Sequence, residues 1–165
     1  MKCETTADLL GHTAMMSRLG EDRGRAVLRE HERITREVLK ANGGAEVKTM
    51  GDRFMASFGS VTRAVECAIA LQRAFADRGG ERLSVRVGLN AGEPIEEEGD
   101  LFGSTVILAS RIAAKAEGGE ILVADTRAVL RQGLPLRGPG GVRGQRVRGA
   151  GAGVRGEVAG VALLF

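Results

Sequence analysis

The sequence predicts an α+β domain: a mostly antiparallel sheet with helices packed on one face. Three observations carry this. Apolar residues recur at helical spacing in some stretches and alternate in steps of two in others, and the two kinds interleave along the chain. Gly51-Asp52 stands between two short alternating runs, which makes at least one strand pair a hairpin. Apolar residues make up 43% and charged residues 27% of 165 positions, an ordinary composition for one domain with a single core.

The elements follow in order. Over residues 22–41, Val27, Ile34, Val38 and Ala41 share one helical face, and Gly43-Gly44 stops the helix. Residues 46–58, "EVKTMGDRFMASF", form the hairpin. Ser60 can cap a second helix, lined on one side by Val61, Ala64, Val65, Ala68, Ile69 and Phe75 and ended by Arg78-Gly79-Gly80. In "LSVRVGLN", Leu83, Val85, Val87 and Leu89 face one way, as in a half-buried strand. "AGEPIEEEGDLFGST" reads as an acidic, Gly-rich loop. Residues 105–116 form a third helix, "EILVAD" a strand, and residues 126–131 a short helix capped by Asp125. There is no internal repeat.

After Gln132 the character changes. Residues 133–165 contain 10 Gly and lack a hydrophobic period, a linker or disordered composition. The domain is therefore expected over residues 1–132, with 133–165 as a disordered Gly/Arg-rich tail. The tail also explains the net charge of +3: it holds five Arg and one Glu, which leaves about −1 for the rest. The body has no general attraction for nucleic acid.

Aromatic residues are scarce at 3%, so the core must be aliphatic. No run of about 18 apolar residues suggests a membrane span, and "MKCETTADLL" has no signal-peptide core. Cys3 and Cys67 lack metal-ligand spacing, and Cys67 in "RAVECAIALQ" reads as a small buried hydrophobe. A reducing cytoplasm fits.

Read alone, Asp52 is a turn former, Lys48 a solvated strand residue, Asp100 one acid among several and Arg111 an exposed helix charge. Three segments in order alter that reading: "ADLLGHTAMMSRLG", "VKTMGDRFMASF" and "DLFGSTVILASRIAAKAEGGEILV". Together, over about residues 6–132, they resemble the class III adenylate/guanylate cyclase catalytic domain. The resemblance implies that family's ferredoxin-like nucleotide cyclase fold. It implies ATP as substrate, 3′,5′-cyclic AMP and pyrophosphate as products, and a role in intracellular signalling.

Residue by residue, Asp8 and Asp52 match the family's ligands for two divalent cations, magnesium or manganese. Gly11, His12 and Thr13 fall at a helix start, where backbone N–H groups hold phosphate oxygens. His12 stands where the family usually has Ser and is expected to be a solvent-facing loop residue. Lys48 and Asp100 match the purine-selecting pair. Lys donates to adenine N1 and Asp accepts from the exocyclic amine, a pattern that guanine reverses. Arg111 matches the transition-state Arg. The family's arrangement implies a homodimer with two shared sites, the metal-binding Asp residues coming from one chain and the base-selecting residues and Arg from the other.

Three departures stand out. Ile107 occupies the place of the family's ribose-orienting Asn. "MKCETTA" before Asp8 offers little to bury where the family has an apolar strand. The tail lacks the family's Val- and Tyr-rich ending. Back-translated from Gln132 and read one base later, it permits such an ending, which suggests a frameshifted reading.

Two alternatives therefore stand beside the cyclase. A degenerate, cyclase-like domain would bind nucleotide or a partner without turnover, as Ile107 favours. A nucleic-acid-binding protein would act through "VRGQRVRGAGAGVRG"; no aromatic residue interleaves those Arg residues, so this is the weakest reading.

Overall fold

The computed structural model describes residues 7–77, 84–124, 147–149 and 161–164. The order is β1 (Ala7–Leu10), α1 (His12–Leu19), α2 (Glu21–Ala41), β2 (Ala45–Met50), β3 (Arg53–Phe58), α3 (Val61–Ala76) and β4 (Ser84–Asn90). Then come β5 (Ile95–Glu97), β6 (Asp100–Phe102), α4 (Ser104–Lys115), β7 (Ile121–Val123), β8 (Val147–Gly149) and β9 (Val161–Leu164).

Seven strands form the main sheet in the order β2-β3-β9-β4-β7-β8, with β1 also on β4. The pairs β1–β4, β2–β3, β3–β9 and β4–β9 are antiparallel; β4–β7 and β7–β8 are parallel. The mostly antiparallel α+β expectation holds.

The long helix α2 is favoured locally at both ends. Glu21 and Asp22 lie in its first turn and Lys40 in its last, each complementing the helix dipole. Gly43 adopts φ 70° just beyond the end, and the Gly44 N–H closes on the Leu39 carbonyl at 2.9 Å. The exposed face is laced by Arg33 with Glu30 and Glu37, and by Arg36 with Glu32. The inner face buries Ile34 and Leu39.

The core joins Phe54, Ala56 and Phe58 of β3 to Val65, Ala68, Leu71 and Phe75 of α3 and to Val85, Val87 and Leu89 of β4. His31 of α2 is buried within it, its ring stacked on Phe75 at 4.9 Å and edge-on to Phe54 at 5.8 Å.

The helices occupy both faces of the sheet, not one. Val85, Val87 and Leu89 share the α3 face, whereas Arg86, Gly88 and Asn90 point to α4. Gly88 is the reason. A Cβ there would sit 2.8 Å from the Ala109 oxygen and 2.8 Å from the Ala113 Cα. A glycine facing two alanines lets the α4 backbone lie directly on the strand.

Other expectations need correction. The acidic loop contains the β5–β6 hairpin, with Ile95 opposite Phe102 and Glu97 opposite Asp100. Glu98 (φ 51°) and Gly99 (φ 80°) make its two-residue turn, the pair of positive φ values that a type I′ turn demands. The tail is not disordered throughout: Val147–Gly149 and Val161–Leu164 are sheet strands. Val161-Ala-Leu-Leu belongs to the tail's longest apolar run, so it can meet the buried edges of β3 and β4. The short helix expected at 126–131 lies outside the described residues.

Candidate active site

The β2–β3 hairpin turns on Gly51 and Asp52, with Met50 paired to Arg53. Gly51 has φ 64° and precedes an Asp in ordinary backbone, the sequence that a type II′ turn uses. Behind the turn Phe54, Met55, Ala56, Ser57 and Phe58 are all buried, so Asp52 is carried at the tip of an anchored strand.

Asp8 lies on β1 opposite Arg86 of β4, and β1 runs alongside β3. Leu164 faces both Met55 and Gly88, and Ala7 faces Val87, the next residue. Carried on by that register, Asp8 falls level with Arg53, next to Asp52. The two acids expected to hold metal are thus at one end of adjacent strands.

Gly11 adopts φ 84° and sets the start of α1, whose first two residues are His12 and Thr13. Thr13 is exposed. His12 is not the solvent-facing residue that was expected. Its side chain is 30% exposed, and its Nδ1 stands 3.8 Å from the Asp52 Oδ2. Its Nε2 is buried and has no hydrogen-bond partner among the described residues. No sequence pattern marks a contact between a helix start and a hairpin tip so far along the chain.

Lys48 and Asp100 meet although they are 52 residues apart in sequence: Nζ lies 2.5 Å from Oδ2. Two local features aim them. Glu46 pairs with Ala56 and Lys48 with Met55, so Val47 is an extra residue, a β-bulge that redirects the strand. Asp100 opens β6, and its Oδ1 accepts from the Leu101 N–H at 2.8 Å. The hydrogen bond from Lys48 holds the Asp100 carboxyl below its usual range, with the Leu101 N–H helping and partial burial opposing. The Phe102 ring lies 5.5 Å from the Lys48 ammonium. Glu46, one residue before the bulge, is tied to Arg36 at 2.9 Å and to Thr49 at 2.6 Å. The Arg36 bond does most to hold the Glu46 carboxyl below its usual range, burial opposes, and Thr49 assists.

Arg111 is exposed on α4, and so is Ile107, at 53%. Among the described residues no hydrogen bond or ion pair joins Arg111 to the Lys48–Asp100 pair. The site residues therefore fall into two groups, one around Asp52 and one around Lys48–Asp100, with Arg111 on a third element.

Among the described residues no group of three or more His, Cys, Asp or Glu could hold a metal ion. The donors present still fit magnesium or manganese. Such ions prefer hard carboxylate oxygens, often take only one or two from the protein, and complete their shell with water and substrate phosphates. Asp52, with Asp8 on the adjacent strand, is such a set.

Comparison with known proteins gives the family. Residues 5–150 match the family described as the adenylate and guanylate cyclase catalytic domain, and the chain belongs to it. The chain is 35% identical over 124 residues to a putative adenylate cyclase 3 of Rhizobium meliloti, covering 72% of this chain and 21% of that protein. It is 38% identical over 129 residues to an uncharacterized protein of Mycobacterium tuberculosis, covering 78% and 33%. The chain thus spans between a fifth and a third of the length of these relatives. An adenylate/guanylate cyclase/hydrolase structure from Silicibacter pomeroyi superposes with a TM-score of 0.65 at 30% identity over 82% of both chains. The catalytic core of a rhodopsin-guanylyl cyclase with converted specificity, in complex with ATPalphaS, gives a TM-score of 0.68 at 25% identity, covering 80% and 81%.

Proposed function

We propose that this domain converts ATP to 3′,5′-cyclic AMP and pyrophosphate, as a homodimer with two shared sites. The observation that carries the choice of ATP is the Lys48–Asp100 pair at 2.5 Å. An ammonium donor beside a carboxylate acceptor complements adenine N1 and its exocyclic amine, and guanine reverses both. In the free protein the pair closes on itself, so the base would exchange one charge-assisted bond for two bonds of its own.

The reaction forms a bond from the ribose 3′-oxygen to the α-phosphorus and breaks the bond from that phosphorus to the bridging oxygen of the pyrophosphate. The 3′-hydroxyl proton is released. Such transfers depend on positioning and charge neutralisation. Two divalent cations, when bound, activate the 3′-hydroxyl and neutralise the leaving phosphates; Asp8 and Asp52 would hold them. The N-terminus of α1 at Gly11, His12 and Thr13 would receive phosphate oxygens. Arg111 would stabilise the charge that develops on them.

Sharing between chains is supported by exposed apolar side chains on β2, β5, β6 and α4, which a partner chain would cover. Met50, Ile95, Phe102 and Ile107 are each 45–56% exposed. Fungal guanylyl cyclase domains similar to this one have been solved in a dimeric and in a monomeric form.

A second reading, nucleotide binding without turnover, is favoured by Ile107. An exposed isoleucine has no group to hydrogen-bond a ribose. The separating experiment measures cyclic AMP made from ATP with manganese by the purified chain and by Ile107→Asn. Turnover in either, abolished by Asp52→Asn, supports the cyclase. ATP binding without turnover in both would establish the second reading.

A further inference from the structure

The central strand of the sheet is built from two ends of the chain. Along β4, Ser84, Val85, Arg86 and Val87 pair with Leu10, Leu9, Asp8 and Ala7. The next three residues, Gly88, Leu89 and Asn90, pair with Leu164, Leu163 and Ala162. Both partners run antiparallel to β4, so β9 leads into β1 in the same direction and register. The two four-residue segments act as one strand, although most of the sequence separates them.

β9 also pairs on its other side. Leu164, Leu163, Ala162 and Val161 face Met55, Ala56, Ser57 and Phe58 of β3. The strands it joins are largely buried: Ala56 and Leu89 are fully buried. Removing β9 would leave two rows of backbone N–H and C=O groups without partners inside the core, an arrangement proteins avoid.

We infer that the slot between β3 and β4 is a strand-binding site and that Val161–Leu164 is its ligand. Recognition is by main-chain ladders on both edges. Its occupancy has a consequence for the proposed catalytic site. β9 braces the strand that carries Asp52 at its tip and abuts the strand that carries Asp8. The tail thereby fixes the spacing of the two metal-binding strands. This holds for the chain as its sequence reads, however the tail arose.

The test uses the full chain without nucleotide or metal, so its outcome is independent of cyclase activity. Amide hydrogen exchange is compared between the parent and Leu163→Pro, since proline removes a ladder N–H and does not fit a central strand. The amides of residues 55–58 and 88–90 are expected to exchange at least about tenfold faster in the variant. The α2 amides should exchange at the parental rate. Equal protection at 55–58 and 88–90 would overturn the proposal.

A second variant keeps the test decisive if the proline variant does not fold. Val161→Cys, made with Cys3→Ser and Cys67→Ser and carrying a nitroxide, should broaden the amide signals of Ser57, Phe58 and Asn90. Unbroadened signals there would equally overturn it.

Discussion

The two hairpins that carry the candidate site residues are built on opposite plans. The β2–β3 hairpin is anchored: every residue of β3 from Phe54 to Phe58 is buried, and the Asp52 tip inherits that rigidity. The β5–β6 hairpin has three-residue strands, and β5 is exposed along its whole length. It is fastened by buried Leu101 and by the Lys48–Asp100 contact. A metal-binding acid needs a fixed position, which a core strand supplies. A base-reading acid must admit a ligand, and a lightly held hairpin allows its partner to be exchanged.

The largest expected effect falls on the anchored hairpin. Phe54→Ala removes a fully buried ring and should cost about 3–5 kcal/mol in urea unfolding. Phe102→Ala on the other hairpin, 45% exposed, should stay within about 0.5 kcal/mol. Comparable losses would show that the two hairpins are not differently anchored.

Asp52→Asn should lower turnover by on the order of 100-fold or more with little change in melting temperature, because Asp52 lies at a turn rather than in the core. A large stability loss with unchanged turnover would reassign it as a structural turn residue. Asp100→Ala should reduce the preference for ATP over GTP by roughly 10-fold, as loss of one hydrogen bond to a charged group implies.

A smaller effect concerns acid. The Asp100 carboxyl is held below its unfolded value by Lys48, so the pair adds stability above the unfolded value of about 4 and loses it as pH falls through the folded one. Because both side chains are 31% exposed, the loss should be no more than about 1 kcal/mol. The Asp100→Ala variant should lack this component in acid titration of stability. The smallest effect is an absence of reaction. Burial pushes the Cys67 thiol up to about 12, so it should resist thiol reagents until the core opens.

The same contrast explains what the sequence disclosed. The anchored hairpin was legible because Gly51-Asp52 is a strong turn signal between alternating runs. The weaker hairpin read as a loop, since Ile95–Glu97 and Asp100–Phe102 are too short to show a period. Its turn uses Glu98 at positive φ, where Gly or Asn would have announced it. Lys48 and Asp100 became candidates only through the family resemblance; no spacing rule predicts a contact across 52 residues that depends on a bulge at Val47. The position of α4 was legible in principle: Gly88 opposite Ala109 and Ala113 marks a close helix–strand approach. Strand β9 was hidden because four apolar residues sit at the end of a Gly-rich tail whose composition dominates any window.

The central claim is that the Asp52 tip and the Lys48–Asp100 pair serve one nucleotide but belong to different chains. It is tested most directly by mixing two inactive variants, Asp52→Asn and Lys48→Glu, and measuring cyclic AMP formed from ATP with manganese. Half of the randomly paired dimers would then hold one intact site, so about a quarter of the parental activity should return. No recovery from a mixture shown to exchange subunits would contradict the shared site.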